Sequence, residues 1–383
     1  MNEEPYSTVR EAMRLMQKGD LGAATAAIQR GLSSATATEP STAGDSPDRD
    51  PIEGTFRVLD EMPLIARESG EAPISVSSAP ASTPQGRKEF SEHTYTCSAG
   101  TRRYKLFVPN AYHGQPLPLI VMLHGCTQTP DDFAMGTRMN TLAEERACFV
   151  VYPAQPQSAN MSKCWNWFQA RHQRRDEGEP AIIAGLVREL LLTYSIDEER
   201  VYVGGLSAGG AMAVILGRAY PELFAAIGIH SGLPYAAAHD LPSAFAAMHQ
   251  SGIAGSSTAH REDSQAVQSG IPCIVFHGDR DATVHPSNGD KVVSQSAGAA
   301  EFSASDSSSA VTEETCAGVT PGGHSYTRRI FKDGNGKVTV EYWLVHGAAH
   351  AWFGGDPRGS HTDPKGPDAS KEMIRFFLER VRA

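Results

Sequence analysis

The sequence predicts an α/β fold, a mostly parallel sheet flanked by helices. Three observations carry that prediction. Short apolar runs of strand length recur, among them Leu119-Ile120-Val121-Met122-Leu123 and Cys273-Ile274-Val275-Phe276. Amphipathic helical stretches alternate with them, the clearest from Glu179 to Tyr194, with Ile182, Ile183, Leu186, Leu190 and Leu191 facing the sheet. A glycine-flanked serine, Ser207, sits between the strand run Val201-Tyr202-Val203 and a stretch of small residues from Gly209 to Val214 that opens a helix. Strands that alternate with helices build a parallel sheet, because each crossover must return the chain to the same end.

Taken in order, Tyr104-Lys105-Leu106-Phe107-Val108 reads as an early strand ended by Pro109. Residues 117–123 and 148–152 are the next two inner strands. The helix from Glu179 follows, then a strand over 201–204 and another over 225–229. Strands over 273–276 and 338–344 come later, and a last helix begins near Asp368-Ala369-Ser370, carrying Met373, Phe376, Phe377 and Leu378. Two insertions interrupt this order. Residues 233–268 contain Pro, Ala and Gly-Ser runs and are expected to form a helical excursion, a cap over the site. Residues 296–324 are small and polar and read as a loop without order.

The chain divides into three parts. Residues 1–35 read as a helical hairpin, with Val9, Met13 and Met16 on one helix face, a break at Gly19-Asp20, and Leu21, Ala24, Ala27, Ile28 and Leu32 on the next. One such unit cannot bury its own apolar face. It is expected to dock on its own chain, on a sister chain in a homo-oligomer, or on a partner. Residues 36–92 are rich in Ser, Thr, Pro and Ala and read as a linker. Residues 93–383 hold the α/β domain.

Composition sets bounds on function. With 383 residues, 40% hydrophobic and 20% charged, the chain is long enough for one large core plus an appendage. A formal net charge of -10 and no basic cluster point away from nucleic acid and anionic membranes. Arg171, Arg174 and Arg175 read as a solvated face. No apolar run approaches a membrane span. The start, Met1-Asn2-Glu3-Glu4, is acidic where a secretory leader is basic, so a cytoplasmic location is expected. No C-x-x-C or H-E-x-x-H spacing occurs, and neither a metal nor another cofactor is expected.

Ser207 at its glycine-flanked strand-to-helix turn has the form of a nucleophile elbow. A serine hydroxyl becomes a useful nucleophile when a base takes its proton, and that base needs an orienting carboxylate. On this fold the order along the chain is Ser, acid, His. The segment from His277 to Val284 follows the strand run 273–276, and Asp281 is its preferred acid, with Asp279 as competitor and loop capping as that residue's plainer role. After the strand at 338–344, His350 is the preferred base, well past the strand end, with His346 nearer it. Backbone N–H groups are then needed at the developing oxyanion. The N–H of Ala208 is one. The second is assigned to Cys126 in the turn His124-Gly125-Cys126-Thr127-Gln128, with Thr127 as the alternative. Trp165 and Trp352, together with His124 and Thr127, are the expected substrate contacts, core packing being the alternative for the indoles.

Together these residues resemble the polyhydroxybutyrate depolymerase-like esterases. The resemblance rests on Leu123-His124-Gly125-Cys126-Thr127-Gln128, Cys164-Trp165-Asn166-Trp167-Phe168, Gly205-Leu206-Ser207-Ala208-Gly209-Gly210, the His277 to Val284 segment, and His350-Ala351-Trp352-Phe353-Gly354-Gly355. Thr362-Asp363-Pro364 and Gly366-Pro367-Asp368-Ala369-Ser370 add to it, so it spans roughly residue 93 to the end. It implies an α/β-hydrolase fold and a catalytic triad that hydrolyses carboxylic esters, with a polyester or small ester as substrate. Feruloyl and acetylxylan esterases are relatives, so feruloyl or acetyl groups of plant polysaccharide are the alternative substrates, and secretion the alternative location. A non-catalytic docking role on a hydrolase scaffold is the alternative of another class. Cys126 and Cys164 both fall in motifs near the expected site, and the sequence leaves open whether they pair.

Overall fold

The computed structural model describes residues 90–249, 271–303 and 311–382. The expected hairpin over 1–35, and the expected linker up to residue 89, lie outside the described residues.

A ten-stranded sheet has the spatial order β1 (Phe90–Cys97), β2 (Gly100–Phe107), β4 (Phe149–Pro153), β3 (Leu117–Leu123), β5 (Ile196–Leu206), β6 (Ala226–His230), β7 (Cys273–Gly278), β10 (Val338–Val345), β9 (Ser325–Lys332) and β8 (Thr312–Val319). The inner strands from β4 to β10 run parallel. Antiparallel pairs complete both edges. Two short strands, β11 (Trp352–Phe353) and β12 (Thr362–Asp363), pair apart from this sheet. This is the α/β-hydrolase architecture.

Helices cover both faces. On one lie α1 (Pro130–Thr137), α2 (Met139–Arg146) and α7 (Ala369–Leu378). On the other lie α3 (Gly178–Thr193), α4 (Ala208–Ala219) and α6 (Ser287–Ser303). A strand covered on both sides reads as a continuous apolar run. All of β3 is buried, with Leu119, Val121 and Leu123 in one core and Ile120 and Met122 in the other. Helix α1 starts at Thr129, whose hydroxyl accepts the Asp132 N–H at 3.2 Å, with Pro130 in its first turn. Asp368 caps α7 through the Lys371 N–H at 3.0 Å. Leu191 and Leu378 are half-buried, less inward than the helical spacing predicts.

Strand β1 starts at Phe90, just ahead of the expected domain start at 93, and pairs along its whole length with β2. One expectation, the loop over 296–324, is corrected. The loop expected over 296–324 holds the end of α6 and the edge strand β8; its residues 304–310 lie outside the described residues. Strand β8 is exposed and keeps its place by pairing, with Glu313 bridged to Arg329 at 2.6 Å and Glu314 to Lys332 at 2.5 Å across to β9. No apolar periodicity announces a strand held in that way. In the expected excursion over 233–268, a helix α5 (Leu241–His249) is present, and its Met248 and Ala247 carbonyls accept from the His285 N–H ahead of α6 and from Asn288 Nδ2 in its first turn. Residues 250–270 lie outside the described residues. No helix among the described residues is long and apolar enough to cross a membrane.

Helix α4 packs so closely on β3 that a Cβ on Gly209 would collide with the Leu123 carbonyl. Backbone on both sides leaves no side chain to yield. Gly209→Ala is expected to cost at least about 2 kcal/mol, measured as a lower urea midpoint at unchanged m-value; an unchanged midpoint would contradict the packing.

Candidate active site

The carboxyl ends of the parallel strands form one row, in which Leu206 pairs with His230, His230 with Phe276 and Phe276 with Trp343. Loops leaving this edge carry Ser207, Asp281 and His350, the usual place for a ligand in an open α/β sheet. Ser207 adopts φ 58° and ψ -118°, a conformation that non-glycine residues avoid. Its N–H donates to the His230 carbonyl at 2.8 Å, and α4 begins at the next residue. The first N–H groups of a helix have no partner within it, so the Ala208 N–H opens beside the serine.

Asp281 is buried and His350 nearly so. His350 Nδ1 donates to Asp281 Oδ2 at 2.7 Å. Asp281 Oδ1 accepts the Thr283 and Val284 N–H groups at 2.9 and 2.8 Å, which fixes the carboxylate plane. His277 is fully buried, with Nε2 donating to the Val284 carbonyl at 2.8 Å and 3.4 Å from Asp281 Oδ2. Burial by itself would raise the Asp281 pKa. Hydrogen bonds from His277 and His350 outweigh it and hold the carboxyl well below the usual range. The competitors pair with each other: Asp279 accepts from His346 Nδ1 at 3.0 Å and from the Gly347 N–H at 2.7 Å. Neither Ser207 Oγ nor His350 Nε2 has a hydrogen-bond partner among the described residues.

The turn 124–128 faces the start of α4, because Gly209 abuts the carbonyls of Leu123 and His124. Three of its amides are engaged. Gly125 N–H donates to Gln128 Oε1 at 2.9 Å, Thr127 N–H to the Ser162 carbonyl at 2.7 Å, and Gln128 N–H to the Gly125 carbonyl at 3.3 Å. The Thr127 N–H is thus taken, while the Cys126 N–H has no acceptor among the described residues. Thr127 itself adopts φ 68°, rare for a β-branched residue. Cys126 and Cys164 form a disulfide that ties the turn to the 155–166 segment. Gln128 Nε2 donates to Asp132 Oδ2 and the Ser360 carbonyl, at 3.0 and 3.1 Å, and ties it to the loop before β12.

The four expected substrate contacts differ in exposure. Trp165, Trp352 and His124 are buried and present no surface to a ligand; Thr127 alone is exposed. A buried indole needs an acceptor for its N–H. Trp165 donates to the His124 carbonyl at 3.1 Å, and Trp352 to Ser370 Oγ at 3.0 Å, so both brace the loops from behind. His230 and His277 were not singled out as site residues from sequence. His230 stacks on Trp352 and Phe276 and accepts the Phe353 N–H at 3.1 Å. Its strand position offers no signal, since an imidazole there reads like any strand-end residue. No group of three His, Cys, Asp or Glu among the described residues is arranged to hold a metal ion.

The family model described as esterase PHB depolymerase matches residues 102–321, more than half of the chain. The chain belongs to this family. It is 33% identical over 238 residues to poly(3-hydroxyalkanoate) depolymerase C of Paucimonas lemoignei, which covers 61% of this chain and 54% of that protein. To acetylxylan esterase A of Aspergillus ficuum it is 28% identical over 262 residues, 65% of this chain and 84% of that one. The solved acetyl xylan esterase of Aspergillus awamori superposes with a TM-score of 0.51 at 20% identity, over 72% of this chain and 94% of that one, and shares its fold. The chain spans about half the length of depolymerase C.

The buried imidazoles make stability depend on pH. Burial lowers the His124 pKa to about 4, and burial, then the neighbouring His277 and His350, hold that of His230 well below the usual imidazole range. The unfolded chain takes up these protons near pH 6.5. Stability is therefore full above that pH and falls as the pH drops, by about 3 kcal/mol for His124 alone on reaching pH 4. Asp281, depressed when folded, adds a loss of the same sign below about pH 4. Urea unfolding at pH 7 and pH 4.5 measures this; equal stabilities would contradict buried neutral histidines.

Proposed function

We propose that this member of the esterase PHB depolymerase family is a serine carboxylic-ester hydrolase with Ser207, His350 and Asp281 as its catalytic triad. The observation that carries the proposal is the 2.7 Å bond from His350 Nδ1 to Asp281 Oδ2. It sets the tautomer, leaving the Nε2 lone pair as base at the strand ends where Ser207 stands on its strained elbow. His350 Nε2 takes the Ser207 proton as Oγ attacks the ester carbonyl. The N–H groups of Ala208 and Cys126 hold the oxyanion. His350 then gives the proton to the departing alcohol, leaving an acyl-enzyme. Water, deprotonated by His350, attacks that acyl group; the bond to Ser207 Oγ breaks as His350 returns the proton to that oxygen, and the acid leaves. The imidazolium formed at each step lies against an ionised Asp281, which stabilises it.

Poly(3-hydroxybutyrate), its oligomers and related short-chain esters are the proposed substrates, supported by the family match and by the depolymerase relative. A second reading is favoured by a different observation. Acetylxylan esterase A is matched over 84% of its own length, against 54% for depolymerase C, which favours acetyl esters of plant polysaccharide.

Release of 3-hydroxybutyrate from amorphous polyhydroxybutyrate, and of acetate from acetylated xylan, is measured at equal ester concentration. The polymer is expected to be the better substrate; acetate release alone would move the protein to the second reading. Ser207→Ala is expected to remove at least about 10³-fold of kcat with the fold intact. Retained turnover in that variant would end the serine-esterase reading. Asp281→Asn, which supports the wrong tautomer, is expected to lose about 10⁴-fold in kcat, whereas Asp279→Asn is expected to stay within about threefold of the parent.

A further inference from the structure

A carboxylate unused by the proposed reaction lies fully buried behind the 124–128 turn. Glu179, in the first turn of α3, has no solvent exposure. A buried carboxylate is costly unless its oxygens are satisfied. Its Oε1 accepts from Gln155 Nε2 at 2.5 Å and from Asn166 Nδ2 at 2.7 Å, and its Oε2 accepts the Asn166 backbone N–H at 2.8 Å. The titratable groups around it are the Arg102 guanidinium at 3.5 Å and His172, whose Nδ1 is 3.7 Å away and accepts the Glu179 N–H at 3.1 Å; burial favours the neutral form of His172.

Its two amide partners bracket the segment 155–166. The Gln155 N–H donates to His124 Nε2 at 3.1 Å, and Gln155 Nε2 also donates to the Cys164 carbonyl at 2.9 Å. Asn166 Oδ1 accepts from Asn160 Nδ2 at 3.0 Å, and Asn160 Oδ1 accepts the N–H groups of Ser162 and Cys164 at 3.0 and 3.3 Å. Besides the Gln155 and Trp165 bonds to His124, two links from this segment reach the turn beside Cys126. One is the Ser162 carbonyl that engages Thr127, and the other is the Cys126–Cys164 disulfide.

We propose that Glu179 is a positioning residue for the oxyanion donor: through Gln155 and Asn166 it holds the 155–166 segment, and through that segment it aims the Cys126 N–H. The proposal rests on the esterase reading above. An ionised carboxylate accepts all three N–H groups at once, and charge-assisted bonds are the strong ones. A glutamine in its place has one acceptor oxygen and turns an NH₂ towards donors. The segment then shifts, the turn follows, and a donor misplaced by about 1 Å can cost about 10²-fold in rate. The oxyanion is stabilised only as charge develops, so the loss falls on kcat and spares KM.

The test uses the full chain and a soluble p-nitrophenyl ester, with kcat, KM and the inhibition constant of a boronic acid that forms a tetrahedral adduct on Ser207. Glu179→Gln is expected to lower kcat about tenfold to a hundredfold, leave KM within about threefold, and weaken the boronic acid in parallel with kcat. The inhibition constant does not depend on how much of the enzyme is folded, so an unchanged value overturns the proposal even if total activity drops. Adding Asn166→Asp exchanges the polarity of the carboxylate–amide pair and is expected to recover boronic-acid affinity; a purely structural role predicts no recovery. If Glu179→Gln does not fold, Gln155→Met breaks the link to Cys164 and keeps the Asn166 pair. It is expected to weaken the boronic acid, and unchanged affinity overturns the proposal. Failure of the esterase reading is separate: Ser207→Ala would then keep its turnover and its boronic-acid affinity.

Discussion

The approach of α4 to β3 is the constraint on which the rest of the site depends. Gly205 and Gly209 let helix and strand backbones meet where any side chain would collide. That closeness forces Ser207 into φ 58°, a conformation costing on the order of 1–3 kcal/mol. It also brings the unpaired amides at the start of α4 against the 124–128 turn. The strain persists because everything near it is held: the Ser207 N–H by His230, α4 by the core beneath it, and the turn by a disulfide and a buried network.

Electrostatics follow from the same packing. Asp281 lies among three imidazoles that differ in surroundings. His350 has a ring edge near solvent, while His277 and His230 are sealed. Burial keeps His230 uncharged, so the negative charge of Asp281 remains for the imidazole that bonds it at the mouth of the site. The carboxylate stays ionised because two backbone amides and two imidazoles donate to it, against a burial effect of opposite sign. One charge is thus enclosed with enough donors to remain a charge.

The indoles show how much packing adds to residue type. Trp165 and Trp352 do lie in the loops around the site. Large aromatic rings in glycine-rich loops, however, serve first to fill the space that those loops leave. Each places its N–H on a fixed acceptor, the His124 carbonyl in the turn or Ser370 Oγ in the first turn of α7. Sequence position places a tryptophan near a site, and only packing decides which side of the loop it occupies.

Much of this protein was legible from the sequence because its signals are local. Strand runs such as 117–123 are apolar throughout since both faces are covered, and the glycines around Ser207 mark a turn that no other residue tolerates. The order of Ser207, Asp281 and His350 follows from strand order. What could not be read has one cause: it is set by groups distant along the chain. Strands β8 and β9 are held by cross-strand charge pairs rather than by apolar pattern. That the Asp279 carboxylate is taken by His346 and the Gly347 N–H, and the Thr127 N–H by the Ser162 carbonyl, is set by groups far along the chain. The buried carboxylate of Glu179 looks like any first-turn glutamate until Gln155 and Asn166 close over it. Local pattern determined the elements and the reactive types. Tertiary structure decided which of each competing pair keeps a free atom, because an unsatisfied donor or acceptor is a property of the whole surrounding and not of the residue.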